Sequence, residues 1–294
     1  MNKRSTGEKI FAVFNTIFLL LLCVIFFLPV WHVAMGSISD PLKVAASSGL
    51  YIKPLGKVTL GGYRLIMQNS TILRAYGNTL IYVAVSTAFG LVLNILAAYV
   101  MSTRGLLFGK PFALFILFTM IFNGGLVPTF MVVNKLGMID TRWALIIPGA
   151  LSAYNIIIMR TSFAEIPTEM LEAARIDGAS EFRILTGIIL PVSKSIIAVI
   201  VLFYAVQHWN SWFSAALYLQ KSRNLYPLQL TLREIVLQST ENSIVAEADG
   251  QDVMIFRPLI KYATIMISVI PMMVLYPFVQ KYFVTGVMIG SVKG

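Results

Sequence analysis

Apolar residues in this chain gather into six long runs, at 10–30, 80–101, 113–133, 143–159, about 195–217 and 262–283, with polar stretches between them. A helix needs about 20 mostly apolar residues to cross the hydrocarbon core of a bilayer, and each run approaches or reaches that length. Lipid offers no partner to an open backbone N–H or C=O, so every crossing segment has to be helical. The pattern predicts an all-α, polytopic membrane protein with six transmembrane helices in one domain covering 1–294. The first run also allows a signal-peptide reading, because Lys3, Arg4 and Lys9 precede it. Its length of about 21 residues exceeds the usual apolar region of such peptides and no small-x-small cleavage site follows, which favours a membrane helix.

Composition agrees with the pattern. Hydrophobic residues make up 57% of the chain, charged residues only 12%, and the mean hydropathy is +0.80. Soluble domains carry about 25% charged residues. The net charge of +10 is read first as contact with anionic lipid head groups and second as attraction for acidic substrates. No nucleic-acid partner is expected. Charge does not orient the chain: with the N-terminus inside, 11 Lys and Arg fall on the cytoplasmic side and 12 outside. Most of the latter lie in two long loops, where the positive-inside rule is weak. Cys23 is the single cysteine, so no intrachain disulfide can form.

The runs also lack the residues of several function classes. None contains Asp or Glu, and Lys194 stands at an edge. Ion-driven carriers place ionisable groups within the membrane, so an ion-coupled secondary sugar carrier fits poorly. Gly56-Lys57 and Gly109-Lys110 lack the upstream glycine and following Ser or Thr of a phosphate loop. His32 and His208 are the only histidines and belong to no metal-ligand cluster. His208 is expected to be a hydrogen-bonded interior group. The chain is expected to be a transport subunit and not an enzyme, with no catalytic residue, metal or cofactor of its own.

One charged segment interrupts this oily chain: EAARIDGASEFRILTGIILP at 172–191, approached by Glu165 and Glu169. Ile166-Pro167 suits a helix start, and Glu169 and Glu172 then lie near the positive end of the helix dipole. Glu172 and Arg175, three apart, can pair on one face. Asp177-Gly178-Ala179-Ser180 reads as a bend, with Ser180 capping a second short helix to about Leu185. Ala173, Ala174 and Gly178 offer a low-profile surface, and Pro191 opens the fifth membrane helix. The segment, at 166–187, is expected to lie outside the bilayer. A plain chain reversal would need fewer residues, which favours a docking role.

Glu172-Ala173-Ala174, Gly178, Ile188 and Leu190-Pro191 match, without a gap, the signature of permease subunits in bacterial ABC importers. The chain resembles that family over nearly its whole length. Trp209-Asn210 on the fifth helix, the Gln280–Gly286 stretch and the ending Gly290-Ser291-Val292-Lys293-Gly294 are similar to the MalG-type partner of the carbohydrate-uptake branch. Gly124-Gly125-Leu126-Val127-Pro128-Thr129 and Asp140-Thr141-Arg142-Trp143-Ala144-Leu145 look like the subgroup importing larger oligosaccharides or polysaccharide fragments, including uronate-containing ones. The resemblance implies the type I importer (MetI-like) fold. It implies that Glu172, Ala173, Ala174, Asp177, Gly178, Leu190 and Pro191 form a cytoplasmic coupling region that docks on a separate ATPase. A tail at 284–294, with Gly286, Gly290 and Lys293, would also reach the ATPases. Implied partners are a MalF-like second permease, two ATP-binding cassette subunits that bind ATP and Mg, an extracytoplasmic solute-binding protein and the bilayer. The setting implied is the bacterial cytoplasmic membrane with both termini inside, and the mechanism is alternating access, with Pro271 and Pro277 as candidate bends in the last helix. A permease of the same class for a non-sugar solute, or a membrane scaffold or sensor subunit, remains the alternative.

Sugars are held by aromatic faces and by amides or hydroxyls. Tyr204, Gln207, Trp209, Asn210, Trp212 and Phe213, with Asn94, Asn123 and Asn155, are the candidates for the pathway. Trp and Tyr also form interfacial belts, and Asn or Gln also joins helices. The loop 241–252 holds four acids and no Lys or Arg; it is read as a solvated outer loop, with contact to the binding protein as the other reading.

Overall fold

The computed structural model describes residues 5–103, 105–237 and 251–291. All regular structure among them is helical. By Cα proximity the chain forms two compact units, 1–73 with 234–270, and 74–233 with 271–294.

The first unit begins with α1 (Thr6–Ser37). Ser5 and Glu8 close a capping box: the Ser5 hydroxyl accepts the Glu8 N–H, and Glu8 Oε2 accepts the Ser5 N–H at 2.9 Å. At 1.5 Å per residue α1 is about 48 Å long, and no residue in its most apolar window is buried. Its far end is held by α2 (Pro41–Ala46), α3 (Gly61–Gln68) and the stretch between them. His32 Nδ1 accepts the Tyr51 N–H at 2.9 Å, and the Trp31 indole donates to the Ile52 carbonyl at 2.9 Å. Gly36 lies under the rings of Tyr51 and Tyr262, where a Cβ would meet atoms at 3.1 to 3.2 Å.

The second unit is built on α4 (Ser70–Ser102), most of which it contains. At one end of the helix, Asn78 Nδ2 donates to the Asn224 carbonyl at 2.8 Å and the Tyr82 hydroxyl to Leu225 at 2.8 Å. Thr79 Oγ1 accepts the Leu228 N–H at 2.8 Å. In mid-helix, Asn94 Nδ2 donates to the Ala150 carbonyl at 3.2 Å and to the Tyr204 hydroxyl, which itself donates to Ala150 at 2.9 Å. At the last turn, Arg160 Nε donates to the Met101 carbonyl at 3.1 Å.

By length and composition, three described helices can cross a membrane alone, and five can if each sharply bent pair is one crossing. The six runs expected to cross are helical, but not all of them are single unbroken helices. The run 113–133 is two helices, α5 (Gly109–Ile121) and α6 (Leu126–Lys135), bent by 110°. The break is chemical. Gly125 has φ +90°, and Asn123 Oδ1 accepts its N–H at 2.9 Å in place of a helical carbonyl. The run 143–159 is also divided, into the single turn α7 (Trp143–Ile146) and α8 (Ala153–Ala164). Pro148 and Gly149 fall in the gap, and Ser152 caps α8 by accepting the Asn155 N–H.

Asp140 ties this region to the 218–222 stretch. With φ +60° it accepts the Lys221 N–H at 2.7 Å and the Ser222 N–H at 3.0 Å through Oδ1. The Lys221 N–H bond is the main cause of a carboxyl held below its usual range. A depressed native pKa contributes stability above the unfolded value, and that contribution is lost as pH falls through the native one. Amide exchange at Lys221 and Ser222, taken relative to the intrinsic rate of an unstructured amide at each pH, should therefore be strongly slowed at neutral pH and lose that protection below about pH 4. Asp140→Asn, which tolerates the left-handed backbone, should quicken it already at neutral pH. Equal protection in both proteins at pH 7 would remove the carboxylate from this role.

Candidate functional site

Residues 166–193 form a hairpin whose parts follow from local chemistry. Pro167 stands at the position just before α9 (Thr168–Ile176), Glu169 sits in its first turn, and Arg175 in its last. After Asp177, Gly178 adopts φ +77°, donating its N–H to the Arg175 carbonyl at 3.1 Å, while Ala179 donates to Ala174 at 3.0 Å. These bonds terminate the helix through a left-handed glycine. Ser180 then caps α10 (Glu181–Ile184), accepting the Arg183 N–H. The two short helices and the bend are those expected.

Beyond α10 the chain departs from the expected course. Residues Leu185–Ile189 form a π-turn, closed by the Leu190 N–H donating to Leu185, before α11 (Leu190–Val192). Pro191 has no N–H to continue a 3.6-residue ladder, and π-turns are the form in which an interrupted helix carries on. The membrane-type helix α12 (Lys194–Trp209) opens at Lys194, not at Pro191, after an 85° bend beside the buried Ser193.

The hairpin has an inner and an outer side. Ile166, Ile184, Leu185 and Ile189 are buried with Ala98, Met159, Phe163, Ile200 and Tyr204, and Leu171, Ala174 and Leu190 pack against them. Glu172, Ala173, Asp177 and Gly178 are exposed, as are the apolar side chains of Ile176 at 86% and Phe182 at 73%. Ala174 is thus part of the inner side, and Ala173 and Gly178 part of the outer one.

Arg175 does not pair with Glu172. Its Nε donates to Glu181 Oε1 at 3.0 Å and its Nη2 to Oε2 at 3.4 Å, and the Tyr99 hydroxyl donates to Glu181 Oε2 as well. The bend brings the first residue of α10 back to the last turn of α9, and a bidentate carboxylate outcompetes the single contact that i, i+3 spacing allows. Glu172 has no ion-pair partner among the described residues.

The pathway candidates separate by exposure. Tyr204 is 0% exposed and its hydroxyl is committed to Asn94 and Ala150; Trp209 is 4% exposed and packs edge-on against Tyr76. Asn94 and Asn155 are buried too. Within this chain these four are packed in the interior. Gln207, Asn210 and Phe213 are exposed, and Trp212 is half-buried with the Arg233 guanidinium 3.8 Å above its ring. Asn123 is exposed, its carbonyl used in the turn to Gly125. His208 is buried as expected and stacks on Tyr204, but its Nε2 finds no hydrogen-bond partner among the described residues. Gly286 and Gly290 lie within the last helix, α15 (Gln251–Ser291), which runs past the expected end at 283. Lys293 and the acidic loop from 241 to 250 lie outside the described residues.

Comparison with known proteins gives this arrangement a context. Residues 111–289 match the family described as the binding-protein-dependent transport system inner membrane component. The polygalacturonan/rhamnogalacturonan transport system permease protein YtcP of Bacillus subtilis is 38% identical over 277 residues, covering 94% of this chain and 96% of its own. Protein LplC of the same bacterium is 37% identical over 286 residues, covering 97% and 96%. A chain in the crystal structure of a bacterial ABC transporter involved in the import of the acidic polysaccharide alginate superposes with a TM-score of 0.87 at 29% identity, over 96% of this chain and all of that one. The apolar helices, the charged hairpin and these matches agree: the chain belongs to the binding-protein-dependent transport system inner membrane components, and is a multi-pass, non-enzymatic permease subunit of an ABC importer.

Proposed function

We propose that this permease carries oligosaccharides released from acidic polysaccharides, and that the 166–193 hairpin is where ATPase motion enters the chain. The observation that carries the coupling role is the hairpin's two-sidedness. Its inner face is fixed in the core, while its outer face exposes Ile176 and Phe182 among charges. Apolar side chains this exposed on a charged segment outside the apolar runs are available for a partner to cover. An unpaired Glu172 beside them provides an acid for a basic partner group. The partners are a second permease of the MalF type and two ATP-binding cassette subunits, which hold ATP and Mg, together with an extracytoplasmic binding protein. The hairpin and both termini lie on the cytoplasmic side, and the end of α15 with Gly286, Gly290 and Lys293 provides a second ATPase contact. The permease acts as one domain by alternating access, and Gln207, Asn210 and Trp212 face the sugar.

The acidic substrate class is supported by the substrates named for YtcP and for the alginate importer, and by the net charge of +10. The test is reconstitution of the chain with its partners in proteoliposomes, measuring ATP hydrolysis and uptake with oligogalacturonates and with maltodextrins. Stimulation by oligogalacturonates is expected; stimulation by maltodextrins alone would reject the acidic class.

Docking also predicts a defined loss. Ile176→Ser removes an exposed apolar side chain that only a partner can bury. Burial of an isoleucine is worth about 1.5–3 kcal/mol, so ATPase retention on the permease should weaken roughly ten- to hundredfold. Titrating ATPase subunits onto the solubilised permease pair measures this. Unchanged retention would place the docking surface elsewhere.

A further inference from the structure

We infer that Tyr99, Glu181 and Arg175 form a positioning clasp that sets the angle of the hairpin against α4, so that hairpin displacement moves α4 without slip. This rests on the coupling role proposed for the hairpin. The apolar contacts behind the hairpin, such as Ile184 and Leu185 near Ala98, are non-directional. They fix the inner face of the hairpin in the core without supplying a directional bond. The clasp is directional. Glu181 receives the Arg175 guanidinium through both carboxylate oxygens from within the hairpin, and the Tyr99 hydroxyl from α4. It therefore joins α9, α10 and α4 at a single carboxylate.

The clasp contributes little to folding. The Arg175 and Glu181 side chains are 42% and 57% exposed, and exposed ion pairs add little to stability. Its place in the chain points to transmission instead. Tyr99 stands on the last turn of α4, where Arg160 also binds the Met101 carbonyl. Farther along, the same helix is bonded through Asn94 to Ala150 and Tyr204, and through Asn78 and Tyr82 to residues 224–226. A push delivered at Tyr99 thus reaches every part of the second unit that α4 touches.

The experiment uses the complete reconstituted importer and reads sugar uptake per ATP hydrolysed. Tyr99→Phe keeps the ring and removes the hydroxyl; Glu181→Ala removes the shared acceptor; Glu181→Gln keeps an acceptor oxygen without the charge. Tyr99→Phe and Glu181→Ala should each lower uptake per ATP roughly threefold or more, and Glu181→Gln should lie between wild type and Glu181→Ala. The double variant should be no worse than Glu181→Ala alone, because both break one unit. An unchanged ratio in Tyr99→Phe and Glu181→Ala overturns the clasp. So does a fall in uptake and hydrolysis together with the amount of assembled complex, which is the mark of a purely structural role, or a double variant whose loss is the product of the singles. Gly178→Pro separates the two levels. If it abolishes coupled uptake while the clasp variants keep the wild-type ratio, only the clasp is wrong; if it too leaves coupled uptake intact, the hairpin itself is not the coupling element.

Discussion

Gly178→Pro should abolish substrate-stimulated ATP hydrolysis and uptake while leaving the six apolar runs and their packing in place. Gly178 holds φ +77° and donates its N–H to the Arg175 carbonyl at 3.1 Å. Proline is locked near −65° and has no N–H, a mismatch that costs about 3 kcal/mol or more. It also disfavours the helical backbone at Asp177, whose φ is −70° and ψ 1°. The hairpin in its present form would then be populated roughly a hundredfold less. Gly178→Ala is the graded control: no atom lies within 4 Å of the added Cβ, so only the left-handed backbone resists it, at about 1–2 kcal/mol. Its loss should be roughly tenfold. Uptake, hydrolysis and the amount of assembled importer, measured on the same preparation, give the result. Full coupled uptake in the proline variant would end the coupling reading of this hairpin.

The hairpin was legible because its determinants are local. Pro167, Gly178 and Ser180 act on the backbone within a few residues, and each does in the structure what its chemistry demands. The partner of Arg175 was not legible. Helical spacing points to Glu172, whereas the carboxylate it binds sits across the turn and is shared with Tyr99, which is 82 residues away from Glu181. No spacing rule reaches that far. The broken spans are a different case. Asn123-Gly124-Gly125 and Pro148-Gly149 were visible as helix breakers, but hydropathy averaged over some 20 residues passes over a break of four to six. A bilayer tolerates such breaks where protein or a water-filled space covers the freed backbone groups. Tyr204 and Trp209 were ambiguous in sequence because an aromatic with a polar handle suits a sugar, an interface and a satisfied core alike. In this chain both are packed in the interior.

Gly90→Val should be the most damaging single substitution in the framework behind the hairpin. A Cβ at Gly90 would stand 2.9 Å from the Ala150 carbonyl oxygen and 3.0 Å from the Tyr204 ring. Neither neighbour can give way cheaply. The Ala150 oxygen accepts from both Asn94 Nδ2 and the Tyr204 hydroxyl, and Tyr204 is fully buried. Relieving the clash means moving backbone, breaking these bonds, or both. Overpacking costs about 1–3 kcal/mol, and leaving buried polar groups unpaired adds about 1–3 kcal/mol each. A combined loss of about 3 kcal/mol or more should lower the midpoint of thermal unfolding in detergent by roughly 5–10 °C, with less assembled permease recovered from membranes. Gly77→Val, on the same helix, is the matched control, since nothing lies within 4 Å of its added Cβ. Both variants carry the same β-branched helical penalty, so their difference isolates the contact with Ala150 and Tyr204. Equal midpoints in the two would mean that the close approach of α4 to this node does not stabilise the permease. A large gap would identify the node that keeps α4, the 147–152 break and α12 in one rigid piece, which α4 must be if it is to carry a displacement begun at Tyr99.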